Sequence, residues 1–124
     1  MSNYRGFRDL IVYQKSYKLA MEIFEITKSF PKEEKYSLVD QIRRSSRSIP
    51  SNIAEAWVKR KYPKSFVSKL LDSLAEEKET EAWIDMSKDC KYIDDQLHNS
   101  LLERYQEVAK MLNSMINTPE KFCN

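Results

Sequence analysis

Apolar residues return every three or four positions in four successive stretches, which predicts four amphipathic helices with short connections. The first runs from about Leu10 to Lys28, with Leu10, Tyr13, Tyr17, Phe24 and Thr27 along one side. Phe30-Pro31 closes it, because the residue before a proline is pushed out of the helical region. The second runs from about Tyr36 to Arg60, and Leu38, Ile42, Ser45, Ile49, Ile53 and Ala56 keep one face throughout. Pro50 falls inside that run, where it lacks an N–H and crowds the carbonyl of Ser46, at a cost of about 3 kcal/mol. The apolar phase survives across it, so a kink is expected and not an end. Ser46 and Ser48 bring hydroxyls close to the freed backbone. The third helix starts near Pro63, whose fixed φ suits a first helical position, and reaches about Cys90 with Phe66, Leu70, Leu74 and Ile84 inward. The fourth starts after Asp94 or Asp95, either a good N-cap, and runs to Ile116. Its stripe is Leu97, Leu101, Tyr105, Val108, Leu112 and Met115.

The expectation is a single all-α domain over residues 1–124, an antiparallel up-down-up-down four-helix bundle with its second helix kinked at Pro50. Its core spans about residues 7–116, and the tail from Pro119 is expected to fray. The first helix carries more apolar surface than one core needs. Val12, Leu19 and Ile26 recur every seven residues, with Ile23 beside them, roughly 120° round from the main face. Trp83 likewise projects about 140° away from the core face of the third helix. A second stripe calls for a second partner, so Val12, Leu19, Ile23, Ile26 and Trp83 are candidate contacts of a homo-oligomer.

Composition narrows the class. One Gly and four Pro are too few for the turns of an all-β protein, and 41% hydrophobic with 32% charged residues suits a folded helical domain. No apolar run approaches the ~20 residues that span a bilayer, so no membrane partner is expected. The segment from Met1 to Arg8 is polar, and Cys90 and Cys123 lack Cys-x-x-Cys spacing, which points to a reduced, cytoplasmic protein. Net charge is only +2, but residues 1–70 hold fifteen Lys/Arg against seven Asp/Glu, whereas residues 71–124 hold six against twelve. That asymmetry suits attraction between the two halves, or between subunits, and secondarily a nucleic-acid face.

The candidate chemistry is cationic. Arg43, Arg44 and Arg47 lie opposite the core stripe of the second helix, and Lys59, Arg60, Lys61 and Lys64 gather where it meets the third, with Trp57 and Tyr62 interleaved. Cations beside aromatic rings suit RNA, since phosphates take the charge and unpaired bases can stack. The plainer alternative is a solvated arginine face, with Asp40 pairing Arg43 and Arg44. On the third helix, Glu77 and Glu81 project onto the stripe of Leu74. Inward carboxylates can bind metal in four-helix bundles, but that chemistry also needs two Glu-x-x-His elements, and His98 is the single histidine. It reads as a surface residue, with Asp95-x-x-His98 off the core face. Glu77 and Glu81 are instead expected to find Lys, Arg, Asn or Tyr partners. No nucleophile elbow or phosphate loop is present, and no enzyme, metal or cofactor is expected.

Gln41-Ile42-Arg43-Arg44-Ser45 followed by Ser48-Ile49-Pro50-Ser51-Asn52-Ile53-Ala54-Glu55 resembles the signature of the 23S rRNA intervening-sequence proteins. Phe7, Leu10, Gln14-Lys15, Phe30-Pro31, Glu34 and Tyr36 are similar to its opening, and Ser73-Leu74, Glu79-Thr80-Glu81 and Trp83-Ile84 to its third helix. The resemblance gives Pro50, Asn52 and Glu55, with Glu77 and Glu81, a structural role. It implies small bacterial bundle proteins that assemble as homopentameric rings. Some are encoded within large-subunit rRNA genes, and no enzymatic activity is established for them. Related accessory proteins of diversity-generating retroelements bind nucleic acid and a reverse transcriptase through a basic surface. Tyr13, Arg47 and Ala56 depart from the family's usual Trp, small residue and Gly. A non-catalytic RNA-associated oligomer is the leading reading. An adaptor without nucleic-acid binding, holding a reverse transcriptase or other partner protein, is the alternative.

Overall fold

The computed structural model describes residues 4–123. Four helices, α1 (Ile11–Thr27), α2 (Leu38–Val58), α3 (Pro63–Asp89) and α4 (Asp95–Asn117), are flanked by 3-10 turns at Phe7–Asp9, Lys32–Glu34 and Pro119–Lys121. No strand occurs among the described residues. Each helix packs on its chain neighbour and α4 returns to α1, so that α1 and α3, like α2 and α4, stand diagonally across the bundle. Cross-helix bonds fix the antiparallel sense. Thr80 Oγ1 donates to Ser45 Oγ at 2.8 Å and Ser73 Oγ to the Ile49 carbonyl at 2.9 Å, so rising positions on α2 meet falling ones on α3.

The ends follow from local chemistry. Asp94 caps α4, its Oδ1 accepting from the Leu97 N–H at 2.8 Å. α3 stops where Lys91 takes φ 65° and the Tyr92 N–H donates to the Ser87 carbonyl, a closure for which glycine is the usual residue. α2 runs unbroken through Pro50. The hydroxyls of Ser46 and Ser48 go to the carbonyls of Arg43 and Arg44, not to the Ser46 carbonyl that Pro50 deprives of its helical donor.

The α2–α3 seam is the broadest in the bundle, and the predicted α2 stripe is buried along its whole length. Phe66, Leu70 and Ile84 meet it from α3, and Leu101, Tyr105, Val108 and Leu112 from α4. Cutting one of these, Ile49 or Leu70 for example, to alanine costs about 2–5 kcal/mol.

Three expectations need correction. On α1 the expected inward stripe holds only at its ends: Leu10 and Thr27 are buried, but Tyr17 is 49% exposed and Tyr13 and Phe24 are half-buried, while Val12, Leu19 and Ile23 of the second stripe are core residues at 3%, 4% and 1% exposure. The inward line is Val12, Ser16, Leu19, Ala20, Ile23 and Thr27. Ser16 is buried with its hydroxyl satisfied, donating to the Tyr13 carbonyl. Val12, Leu19 and Ile23 therefore cannot serve as oligomer contacts. Ile26 and Trp83 are half-buried against the core of their own chain, and the Trp83 indole N–H donates to Glu79 at 3.2 Å. The tail does not fray either. Phe122 stacks on Phe66 and Tyr4 at 6.2 and 6.1 Å, closing the end of the bundle at the α2–α3 turn.

Candidate nucleic-acid interface

The seven predicted cations separate into held and free groups. Arg43 reaches back to α1, where its Nε donates to Thr27 Oγ1 at 2.9 Å and its Nη2 to the Phe24 carbonyl at 3.3 Å, with the guanidinium 4.6 Å from the Phe24 ring centre. Arg44 turns to α3 and forms a forked pair with Glu76 and a further bond to Glu79, which hold its pKa above the ordinary value. Asp40 pairs with neither arginine among the described residues. Arg47 is exposed, 5.7 Å from the Phe24 ring centre, and forms no ion pair among the described residues.

Arg47 and Ser51 stand where two grooves meet. One, of about 620 Å³, is lined by Lys35, Tyr36, Val39, Arg43, Arg44 and Arg47. The other, of about 340 Å³, is apolar and lies between α1 and α2, against Tyr13, Tyr17, Met21, Pro50 and Ala54.

At the far end of α2 the Tyr62 N–H donates to the Lys59 carbonyl at 2.9 Å and forms a tight turn. Arg60 folds back, its Nε donating to the Trp57 carbonyl at 2.8 Å and its guanidinium 3.6 Å from the Trp57 ring centre. Lys59, Lys61 and Lys64 point into solvent with no ion pair among the described residues, beside Val58 at 81% and Tyr62 at 61% exposure. By helical rise this tip lies about 18 Å from Arg47.

The acidic half of the chain does partner the basic half. Arg44 meets Glu76 and Glu79, and Lys15 meets Glu107 at 2.6 Å. Running the other way, Arg104 forks onto Glu22 and joins α4 to α1, an ion pair that lowers the Glu22 pKa. Glu55 binds Lys69 across the α2–α3 seam, while Asn52 is half-buried on α2.

Glu81 pairs with Lys78 at 3.1 Å, as expected of an inward carboxylate. Glu77, at 0% exposure, behaves otherwise: among the described residues neither of its oxygens has a well-aligned hydrogen bond, and Lys78 Nζ stands 3.4 Å from Oε1 without hydrogen-bond alignment. The Tyr105 hydroxyl is also buried without a hydrogen-bond partner among the described residues. Burial, and then Glu81 beside it, push the Glu77 carboxyl up to about 8. His98 is buried, not superficial, and its Nε2 lies 2.8 Å from Asp85 Oδ1 on α3. Its place three residues before Leu101 and seven before Tyr105 put it on the α4 stripe, a signal the sequence did carry. Among the described residues no group of three or more His, Cys, Asp or Glu is placed to hold a metal ion, and no helix is long and apolar enough to cross a membrane.

Helices in a closed antiparallel bundle, with basic and aromatic side chains standing off the outer surface, place this chain among the all-α four-helix bundle proteins. It belongs to the 23S rRNA-intervening sequence protein family, whose pattern matches residues 8–114. Its fold is similar to the crystal structure of a protein of unknown function from the S23 ribosomal protein family of Bacteroides thetaiotaomicron. The two are 33% identical with a TM-score of 0.79, over 87% of this chain and 96% of that one. No curated protein matches the chain.

Proposed function

We propose that this protein is a non-catalytic, homo-oligomeric bundle that binds RNA through the tip formed by the α2–α3 turn. The observation that carries this reading is the set of lysines Lys59, Lys61 and Lys64, exposed and without an ion pair among the described residues, around the exposed ring of Tyr62. Solvated ammonium groups release counterions when they meet phosphates, and an exposed ring offers a face to an unpaired base. Arg47 and Lys35, in the groove further along α2, lie within reach of the same strand. A gel shift with structured RNA carrying single-stranded loops tests it. Retarded complexes at low salt that weaken at moderate salt are expected. Absence of binding at both salts contradicts the reading.

Assembly rests on the exposed apolar surface. Tyr17 and Met21 border the groove between α1 and α2, and Leu71, Ala75, Ala82 and Met86 form a separate exposed line on α3, diagonally across the bundle from α1. Two different faces that mate head to tail close a ring, in keeping with the pentamer that the family resemblance implies. Light scattering is expected to show an oligomer at micromolar concentration that Tyr17→Glu with Met21→Glu dissociates; a wild-type monomer contradicts assembly. The same apolar groove favours the second reading, an adaptor for another protein, whose mark is a pull-down that survives nuclease.

A further inference from the structure

The centre of the bundle holds polar atoms that the fold leaves without hydrogen bonds. Among the described residues, Glu77 Oε1 and Oε2 on α3 and the hydroxyl of Tyr105 on α4 are all buried with no well-aligned hydrogen bond, Glu77 having only Lys78 Nζ at 3.4 Å and the Glu81 side chain beside it. Ser73 and Thr80, one turn to either side of Glu77, bond to the Ile49 carbonyl and to Ser45, so this level of α3 is pressed against α2. We infer that Glu77 is a proton-binding site whose occupancy holds the bundle closed at this level: the neutral acid is tolerated between the helices, and loss of its proton loosens them.

The groups around it leave little else to carry the charge. On α3 they are Lys78, 60% exposed at its side chain, and Glu81, one turn on. Burial opposes the Glu81 carboxylate, but Glu77, Lys78 and the Gln106 side chain of α4 together hold it below the usual range. It therefore stays ionised and repels a second charge. α4 adds Tyr105, whose ionisation burial also opposes. α1 adds Glu22, already forked to Arg104. α2 offers Ser45, Ser46 and Ile49, none of which titrates. An ionised Glu77 would be a buried charge with one poorly aligned cation, an arrangement proteins avoid by keeping the proton.

The sign follows. The folded chain binds this proton more tightly than the unfolded chain does, so the stabilisation is complete below the ordinary value of 4.5 and is lost as pH rises through about 8. Urea unfolding of the full chain and of Glu77→Gln, at pH 5.5 and pH 8, tests it. The ratio of the wild-type to the Gln variant's unfolding constant is expected to rise roughly a hundredfold between the two pH values. A ratio that changes by less than about threefold overturns the inference. Glu77→Met serves as a second neutral variant should the Gln chain not fold. Independently, the carboxyl carbon of Glu77 followed by NMR in the wild-type protein is expected to titrate well above the range of exposed glutamates, and a midpoint within that range also overturns it.

Discussion

Near the start of α2, Arg43 and Arg44 are drawn onto Thr27, Phe24, Glu76 and Glu79, whereas beyond its other end Lys59, Lys61 and Lys64 reach solvent beside Tyr62. The contrast follows the side-chain chemistry. A guanidinium is planar, weakly hydrated and forked, so it fits between helices and grips two acceptors at once. An ammonium is compact and strongly hydrated, and it stays in water unless something neutralises it. Arg60, flat on Trp57, follows the arginine habit even at the lysine-rich end, and Arg47 is the exception on the other side. Positive charge in the sequence thus has two uses, and residue type tells them apart better than position does.

That division gives graded tests. Changing Lys59, Lys61 and Lys64 together to Ala is expected to weaken RNA binding on the order of a hundredfold at moderate salt. The melting temperature should barely move, since exposed positions contribute within about 0.5 kcal/mol. A loss of fold in this variant would break the contrast. Tyr62→Ala should cost about tenfold in affinity through lost stacking, with Tyr62→Phe close to wild type. Equal losses in both variants would point to the hydroxyl and away from stacking. Arg43→Ala is expected to reduce stability by about 1.5 kcal/mol, because its bonds to Thr27 and Phe24 are partly buried, and to leave RNA affinity within about twofold. Arg44→Ala should cost less than about 1 kcal/mol by chemical denaturation, since its side chain is about half exposed and water screens its pairing with Glu76 and Glu79.

How far the sequence could be read depends on what each residue had to satisfy. On α2 and α4 the apolar positions return at one phase, and only one face can be inward. His98 was the exception on α4, read as lying off the core face although its spacing to Leu101 and Tyr105 puts it on that stripe. α1 carries apolar residues around much of its girth. Spacing put the tyrosines on the inward side, but the chain buries the smaller line through Ser16 and Ala20, where the serine hydroxyl bonds a carbonyl of its own helix. The tail was misjudged because Phe122 has no periodic context, and its docking on Phe66 and Tyr4 joins positions far apart in sequence. At the candidate site, spacing proposed seven cations together, of which Arg43, Arg44 and Arg60 are held within the chain. It could not show that Arg44 would meet Glu76 and Glu79 or that Arg43 would reach Thr27, because those partners lie on other helices.

The most direct measurement is the salt dependence of binding to a labelled single-stranded RNA by fluorescence anisotropy, for wild type, for the Lys59/Lys61/Lys64→Ala chain and for the Arg43/Arg44→Ala chain. The account predicts that the slope of log affinity against log salt falls by about 2 in the lysine variant and stays at the wild-type value in the arginine variant. An unchanged slope in the lysine variant, with a reduced one in the arginine variant, would place the RNA on the helical face and contradict the account.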